Sequence, residues 1–386
     1  MNNKWSYRPF EEVVEICDTQ RKPVNNKERA ARIEGKQPQD LFPYYGATGQ
    51  VGLIDGYITD GEYVLLGEDG APFLNPTATK AYIITGKAWV NNHAHVLRSK
   101  YDNQFLCYYL NSLNYKGLVS GTTRLKLTQG AMKQIVIPVP ALEEQVRIVA
   151  RIDELFSQLN AGIEMLEKCK SQLTVYRQAV LKSVFSDMPN KRPIREVSEL
   201  VTSGSRGWAK YYADTGARFV RITDLTRDSI YLKNDNKQFV LLPDNAEGKR
   251  SRLNENDVLV SITADLGSIA LIPADIGEAY INQHIAMIRF NNPKQGELMA
   301  WYLKSDYGQK DLLKNKRGGG KLGLGLDDIR DTPVPLLSDI EADAVLEEIE
   351  ARLSVCHSIE KTVNNAIRES EAMRQSILKE AFEGRL

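Results

Sequence analysis

No run of about 18 consecutive apolar residues occurs in this chain of 386, so no membrane span is expected. The opening Met1-Asn2-Asn3-Lys4-Trp5-Ser6 carries no apolar segment of the secretory-signal kind. Cysteine is scarce: Cys17, Cys107, Cys169 and Cys356 are scattered, with no Cys-x-x-Cys spacing. That scatter argues against a disulfide framework or zinc ribbon and points to a reducing cytoplasm. His93 and His95 lie close in sequence, but no cysteine or acidic third ligand accompanies them, so no metal site is expected. Walker A, His-Glu-x-x-His, Gly-x-Ser-x-Gly and Asn-Pro-Pro-Tyr-type motifs are all missing, which fits a chain that leaves catalysis to others. Net charge is also missing, with 50 basic against 50 acidic residues. The balance is local: 16 basic against 13 acidic residues over 1–140 and 22 against 19 over 188–337, but 6 against 7 over 141–187 and 6 against 11 over 338–386. Two mildly basic segments therefore alternate with two acidic ones, and a neutral total leaves room for a basic face that meets phosphate.

What the chain does contain is a repeat. Tyr176-Arg177-Gln178-Ala179-Val180-Leu181-Lys182-Ser183-Val184-Phe185 returns as Met373-Arg374-Gln375-Ser376-Ile377-Leu378-Lys379-Glu380-Ala381-Phe382. Trp89–Arg98 returns as Tyr280–Arg289 at an offset of 191, sharing Asn91/Asn282, His93/His284 and Arg98/Arg289. Tyr109-Leu110 matches Tyr302-Leu303 at 193, Pro138-Val139-Pro140 matches Pro333-Val334-Pro335 at 195, and the helix ends match at 197. Offsets that grow in one direction describe a tandem duplication that gathered small insertions. The shared His93/His284 pair then reads as a common structural hydrogen bond.

Each copy opens with mixed α/β character. Tyr63–Leu66, Ala81–Thr85, His95–Leu97 and Ile135–Ile137 read as strands, Gly46–Gly52 as a tight loop and Phe105–Leu113 as a short helix. Pro138-Val139-Pro140 stops the last strand, and Pro140 suits the first turn of a helix. From Ala141 to Asp187 no proline interrupts, and Ile152, Phe156, Leu159, Ile163, Leu166, Leu173, Tyr176, Val180 and Val184 recur mostly in steps of three and four, the seam of a coiled coil. In the second copy Ser338-Asp339-Ile340-Glu341 forms a capping box. A seam of Ile349, Leu353, Cys356, Ile359, Val363, Ile367, Met373 and Ile377 follows, and Gly384 is the stop signal. A helix of this length spans ~70 Å at ~1.5 Å per residue and needs a partner for its seam. The nearest partner is its own repeat, running antiparallel.

Pro43-Tyr44-Tyr45-Gly46-Ala47-Thr48-Gly49-Gln50-Val51-Gly52, Gly67-Glu68-Asp69-Gly70-Ala71, Trp89–Leu97, Gly121-Thr122-Thr123-Arg124 and Ile137-Pro138-Val139-Pro140 with Glu143-Glu144-Gln145 resemble marks of the specificity subunits of Type I restriction–modification systems. Arg218–Leu225 and Ile281–Ile285 resemble those of the second domain. The resemblance implies an α/β (α+β) fold in two tandem copies, separated by two long helices that form an antiparallel coiled coil. Residues 1–140 are then the first target recognition domain, 141–187 the central helix, 188–337 the second recognition domain and 338–386 the C-terminal helix. It also implies a non-catalytic subunit that reads a bipartite, asymmetric site on double-stranded DNA. Two methyltransferase subunits and restriction/translocase subunits would be the partners, holding S-adenosylmethionine, ATP and Mg. No cofactor, metal or membrane is assigned to the chain itself, and the compartment is the cytoplasm. Two other readings stand beside this one: the recognition subunit of a related system with fused methyltransferase and nuclease, and a coiled-coil scaffold that does not bind DNA.

For DNA contact the candidates in the first copy are Tyr44, Tyr45 and Thr48 in the glycine-rich loop, with Thr122, Thr123 and Arg124 as phosphate donors. In the second copy they are Ser205, Arg206, Trp208 and Lys210, which mix cations, donors and an aromatic. Arg221 and Thr223 follow a strand and point either to DNA or to a domain-stabilising acid such as Asp224. Arg317, Gly319 and Lys321 lie in a glycine run suited to an anion. Each group has its bland alternative, a half-buried turn tyrosine, a surface turn or a flexible loop. Glu143, Glu144, Gln145, Arg177, Gln178, Lys182, Arg374, Gln375 and Lys379 are the candidates for partner binding or for pairing between the helices.

Overall fold

The computed structural model describes residues 5–386 apart from 187, 189, 243–249, 315 and 317–322. By compactness the chain forms two units, one of Met1–Glu167 with Val363–Leu386 and one of Lys168–Thr362.

The first unit is built on an antiparallel sheet in the order Val14–Ile16, Ala94–Ser99, Tyr63–Gly67, Ala81–Ile84. Tyr63–Gly67 is buried along its whole length, because alternate side chains serve two different cores. Val64 and Leu66 pack with Leu106, Cys107 and Leu110 of the helix Asn103–Ser112. Tyr63 and Leu65 pack with Val90 and Val96 on the other face. There a second sheet lies in the order Gln50–Ile54, Phe42–Tyr45, Trp89–Val90, its last pair parallel. The expected strands and helix all occur, with ends shifted by one or two residues, and residues 46–49 join the Phe42–Tyr45 and Gln50–Ile54 strands.

One expectation needs correction. Pro138 does not stop a strand but lies inside one, Val136–Val139, which pairs antiparallel with Ser6–Pro9. A two-stranded ribbon tolerates the missing N–H because it has free edges.

The second unit repeats the plan. Its antiparallel sheet runs Ser198–Ser203, Ile285–Phe290, Val258–Ser261, Ile269–Leu271. Ala217–Val220 pairs in parallel with Ala279–Ile281 as Phe42–Tyr45 does with Trp89–Val90. Lys191–Pro193 pairs with Pro333–Pro335 as the terminal ribbon. Val258 and Val260 face the helix Gly296–Lys304 through Leu298, Met299 and Tyr302, while Leu259 joins Ala279, Ile281 and Met287 on the opposite side.

The two long helices are Leu142–Phe185 and Asp339–Phe382, 44 residues each. The capping box of the second is present, with the Ser338 N–H donating to Glu341 Oε2 at 2.8 Å. Gly384, at φ 73°, ends it. In the first unit Ile148 and Ile152 of the earlier helix pack with Leu378, Ala381 and Phe382 of the later one. In the second unit Leu173, Val180, Leu181 and Phe185 pack with Ala342, Ile349, Leu353 and Cys356. The start of each helix meets the end of the other, so the pairing is antiparallel.

The seam itself differs from the sequence reading at matching places. Tyr176 and Met373 are 48% and 51% exposed, and Ile359 is 40% exposed. The inward positions beside them belong to Arg177, Arg374 and Glu360. Arg177 Nη2 donates to Glu360 Oε2 at 2.6 Å in the second unit. Arg374 bonds Asn160 and lies 5.2 Å from the Phe156 ring centre in the first. The helix ends then settle on equivalent tyrosines, Phe185 on Tyr302 at 5.4 Å and Phe382 on Tyr109 at 5.1 Å, both edge to face. Each helix therefore leaves the body of its own repeat and finishes against the body of the other.

Candidate nucleic-acid interface

In both units the parallel strand is followed by a two-residue turn, Asn92-His93 in one and Gln283-His284 in the other. A preceding asparagine builds it: Asn91 Oδ1 accepts the His93 N–H at 2.8 Å, and Asn282 Oδ1 accepts the His284 N–H at 3.0 Å. The backbone frame is the same in each. Glu68 N–H donates to the His93 carbonyl and Leu127 N–H to the Glu68 carbonyl, at 2.8 and 2.7 Å; Ile262 N–H donates to the His284 carbonyl and Leu324 N–H to the Ile262 carbonyl, at 3.0 Å each. By this register Asp69 and Thr263 are equivalent residues.

They hold the two histidines differently. His93 Nδ1 lies 2.6 Å from Asp69 Oδ1, which also accepts from Arg124 Nη2 at 2.8 Å. His284 Nδ1 lies 2.7 Å from the Thr263 hydroxyl, and its Nε2 lies 2.8 Å from Gln283 Nε2. Only the amide nitrogen of that last pair must be a donor, so Nε2 accepts and Nδ1–H donates to Thr263. One loop thus rests on a carboxylate and a guanidinium, the other on neutral hydroxyl and amide groups.

Each turn opens on a polar concavity. In the first unit Asn25, Asn26, Arg29, Tyr44, Asn92 and His93 are among its lining. Arg29 comes from the helix Asn26–Ile33, whose start is capped by Asn25 Oδ1 accepting the Glu28 N–H at 2.9 Å. Its guanidinium sits 5.1 Å from the Tyr44 ring centre and donates to the Val51 carbonyl at 3.1 Å. In the second unit the lining is Ser203, Gly204, Ser205, Arg206, Arg250, Thr263, Gln283 and His284. Gly204 is required there, since a Cβ would fall 1.9 Å from the Ile281 carbonyl oxygen. The Ser205 hydroxyl is buried without a hydrogen-bond partner among the described residues. Cations, amides and hydroxyls around a hollow are groups that can meet phosphate oxygens and base edges.

Beneath the first loop lies a charged layer. Buried His95 has Nδ1 2.8 Å from Asp18 Oδ2 and Nε2 3.1 Å from the Leu127 carbonyl. Burial alone would push the Asp18 carboxyl up, but the bond from His95, its charge, the Val96 N–H and Arg21 together hold it below the usual range. Glu68 is likewise held low against its burial by Arg21 and Lys126.

Two of the sequence candidates for DNA contact are corrected, and the alternative left open at Arg221 is resolved. Tyr44 is 4% exposed, and its hydroxyl donates to the Val24 carbonyl at 3.0 Å, so it is a wall of the hollow. Trp208 is 5% exposed and stacks on Phe219 and Tyr280 at 4.8 and 5.6 Å. Arg221 donates to the Asn236 carbonyl at 2.8 Å and lies 3.8 Å from Asp224, the stabilising alternative. Tyr45 is half-buried beside Tyr82. Thr48 is exposed at its hairpin tip, and Thr122, Thr123, Arg124, Arg206, Lys210 and Thr223 are also exposed. Ser205 and Arg206 share the second hollow. Arg317, Gly319 and Lys321 lie outside the described residues.

Among the partner candidates Gln145 is corrected: it is 2% exposed and donates to the Pro140 carbonyl at 3.0 Å. Arg177, 9% exposed, makes the expected pairing between the helices through Glu360, and Gln178 is half-buried. Arg374 and Gln375 turn inward, the latter to the Asn111 carbonyl at 3.3 Å. Glu144 pairs with Arg147 at 3.5 Å. Glu143, Lys182 and Lys379 face solvent. Asn92, Gln283, Arg29, Arg250 and Thr263 were missed as candidates, although the repeated Asn-x-His would have marked the turn.

Comparison with known proteins now bears on this geometry. Residues 2–167 match the type I restriction modification DNA specificity domain. The chain is 37% identical over 151 residues to a Haemophilus influenzae protein named as a type I restriction enzyme specificity subunit, covering 39% of this chain and 37% of that one. It is 25% identical to the EcoBI specificity subunit of Escherichia coli, over 75% of this chain and 67% of that one. With the MjaVIII specificity subunit of Methanocaldococcus jannaschii the identity is 25%, over 89% and 87%. The match thus spans from about a third to two thirds of the first two of these relatives. A solved chain from work on the assembly and conformational transition of a type I restriction–modification system superposes with a TM-score of 0.66, at 16% identity, over 99% of this chain and 98% of that one, which establishes the shared fold. The class to which residues 2–167 point is that of DNA specificity domains. Within it, the chain is similar to the specificity subunits of type I restriction–modification systems.

Proposed function

We propose that this chain is the DNA-reading subunit of a type I restriction–modification complex, in which each body of the duplication reads one half of a split, asymmetric DNA site. The observation that carries this reading is the pair of equivalent turns, each opening on its own polar hollow but lined by different side chains. A symmetric dimer would repeat one chemistry and read a palindrome; a diverged duplication reads two different half-sites. The continuous helices set the distance between the half-sites. Through them the subunit binds two methyltransferase subunits and recruits restriction/translocase subunits in the cytoplasm. S-adenosylmethionine, ATP and Mg stay with those partners, and a target adenine leaves the stack in the methyltransferase.

Mobility shifts with the co-purified complex test the proposal. Binding to a duplex holding the split site should persist under competitor DNA and fall steeply as salt rises. Equal binding to unrelated duplexes would refute sequence reading, and co-purification of one fused methyltransferase–nuclease polypeptide would reassign the system.

A further inference from the structure

We infer that Asn92 and Gln283 are the base-reading side chains of the two bodies and that each is built to take an adenine; this rests on the DNA-reading function proposed above. The two residues occupy the same position, the first residue of a turn whose backbone frame is identical in both units. Both are carboxamides. A carboxamide presents a donor and an acceptor side by side, the pattern that adenine N7 and N6–H₂ match in the major groove.

The surroundings favour a presented group over a structural one. Asn92 is exposed, on a turn fixed from below by buried Asn91. Gln283 is half-buried; one N–H of its amide is spent on His284 Nε2, which orients the group and leaves its second N–H and its carbonyl for a base. Cations stand on the walls where a phosphate backbone would run, Arg29 in one hollow and Arg206 and Arg250 in the other. The buried Ser205 hydroxyl, without a partner among the described residues, adds a polar group to the second hollow. Arg29, Arg206 and Arg250 thus hold the backbone while Asn92 and Gln283 meet the base, the division of labour expected of protein–DNA contacts.

Binding-site selection from a pool of randomised duplexes, using the complex with its methyltransferase, tests the assignment. Asn92→Ala should lose about 5- to 150-fold discrimination at one A·T pair of one half-site and leave the other half-site unchanged. Gln283→Ala should do the same in the opposite half. Asn92→Gln and Gln283→Asn keep the carboxamide and should keep the preferred base. Arg206→Ala should weaken all sequences alike and lower the salt slope by about one. Unchanged preference in both alanine variants, a uniform loss like that of Arg206→Ala, or a shift in both half-sites from one substitution would overturn the assignment while leaving the split motif standing. A wild-type complex that selects no split motif would instead overturn the functional reading, and this assignment with it.

Discussion

The two bodies share a frame and differ in what they place on it. Immediately before Val64 and Val258 stand Tyr63 and Asp257, and near them Arg98 and Arg289. In the first body the guanidinium of Arg98 lies 4.5 Å from the Tyr63 ring centre. In the second Arg289 grips Asp257 through two bonds of 2.8 and 2.7 Å. On the helix behind the sheet Asn111 is replaced by Lys304. Asn111 is fully engaged, accepting from the Lys80 and Ala81 N–H groups and donating to the Ala81 and Cys107 carbonyls. Lys304 is 6% exposed and donates to the Thr226 carbonyl at 2.7 Å. The hydrogen-bonded strand frame tolerates such exchanges because its own bonds are main-chain. The duplication has therefore drifted in charge while keeping its shape.

The largest expected effect probes what the copies hold in common. Phe185 and Phe382 are 1% and 7% exposed, and truncating either to alanine should cost about 3–5 kcal/mol. Hydrogen exchange should show the loss around Tyr302 for Phe185→Ala and around Tyr109 for Phe382→Ala. Loss in the body of the same repeat in each case would refute the exchange of helix ends. Next comes the arginine pair. Arg289→Met strands a buried carboxylate and should cost about 3 kcal/mol; Arg98→Met removes one cation–π contact and should cost about 0.5–1 kcal/mol. Equal losses in urea unfolding would erase that difference between the bodies.

The bodies should also answer differently to pH. Burial lowers Lys304 to about 7. A lysine lowered on folding binds fewer protons in the native state, so the second unit should gain stability from about pH 7 toward pH 10, with a slope of up to ~1.4 kcal/mol per pH unit. Lys304→Met should flatten that rise. In the first unit Asp18 and Glu68 are held low; their contribution is complete above the ordinary carboxylate range and is lost as pH falls below about 4. Asp18→Asn should reduce this smaller acid sensitivity. Pulse-labelled exchange, corrected for its intrinsic pH dependence, reads both.

Sequence patterns revealed the duplication, the capping box, the Gly384 stop and both long helices, because local chemistry determines them. The pairing of Ser6–Pro9 with Val136–Val139 escaped notice, since proline reads as a strand breaker and the partner lies far along the chain. The seam was misplaced at Tyr176 and Met373 because periodicity counts apolar side chains, whereas Arg177 and Arg374 turn inward to specific partners. Composition drew attention to Tyr44 and Trp208, yet these aromatics are packed walls. The Trp89–Arg98 repeat already set Asn92 opposite Gln283, but only the fold showed that each stands beside a polar hollow.

The central claim is that two diverged readers share one chain, and footprinting of the assembled complex on its selected DNA tests it most directly. The account predicts two protected stretches of different sequence, separated by a gap whose bases are free to vary. One continuous protected motif, or two halves of the same inverted sequence, would contradict it.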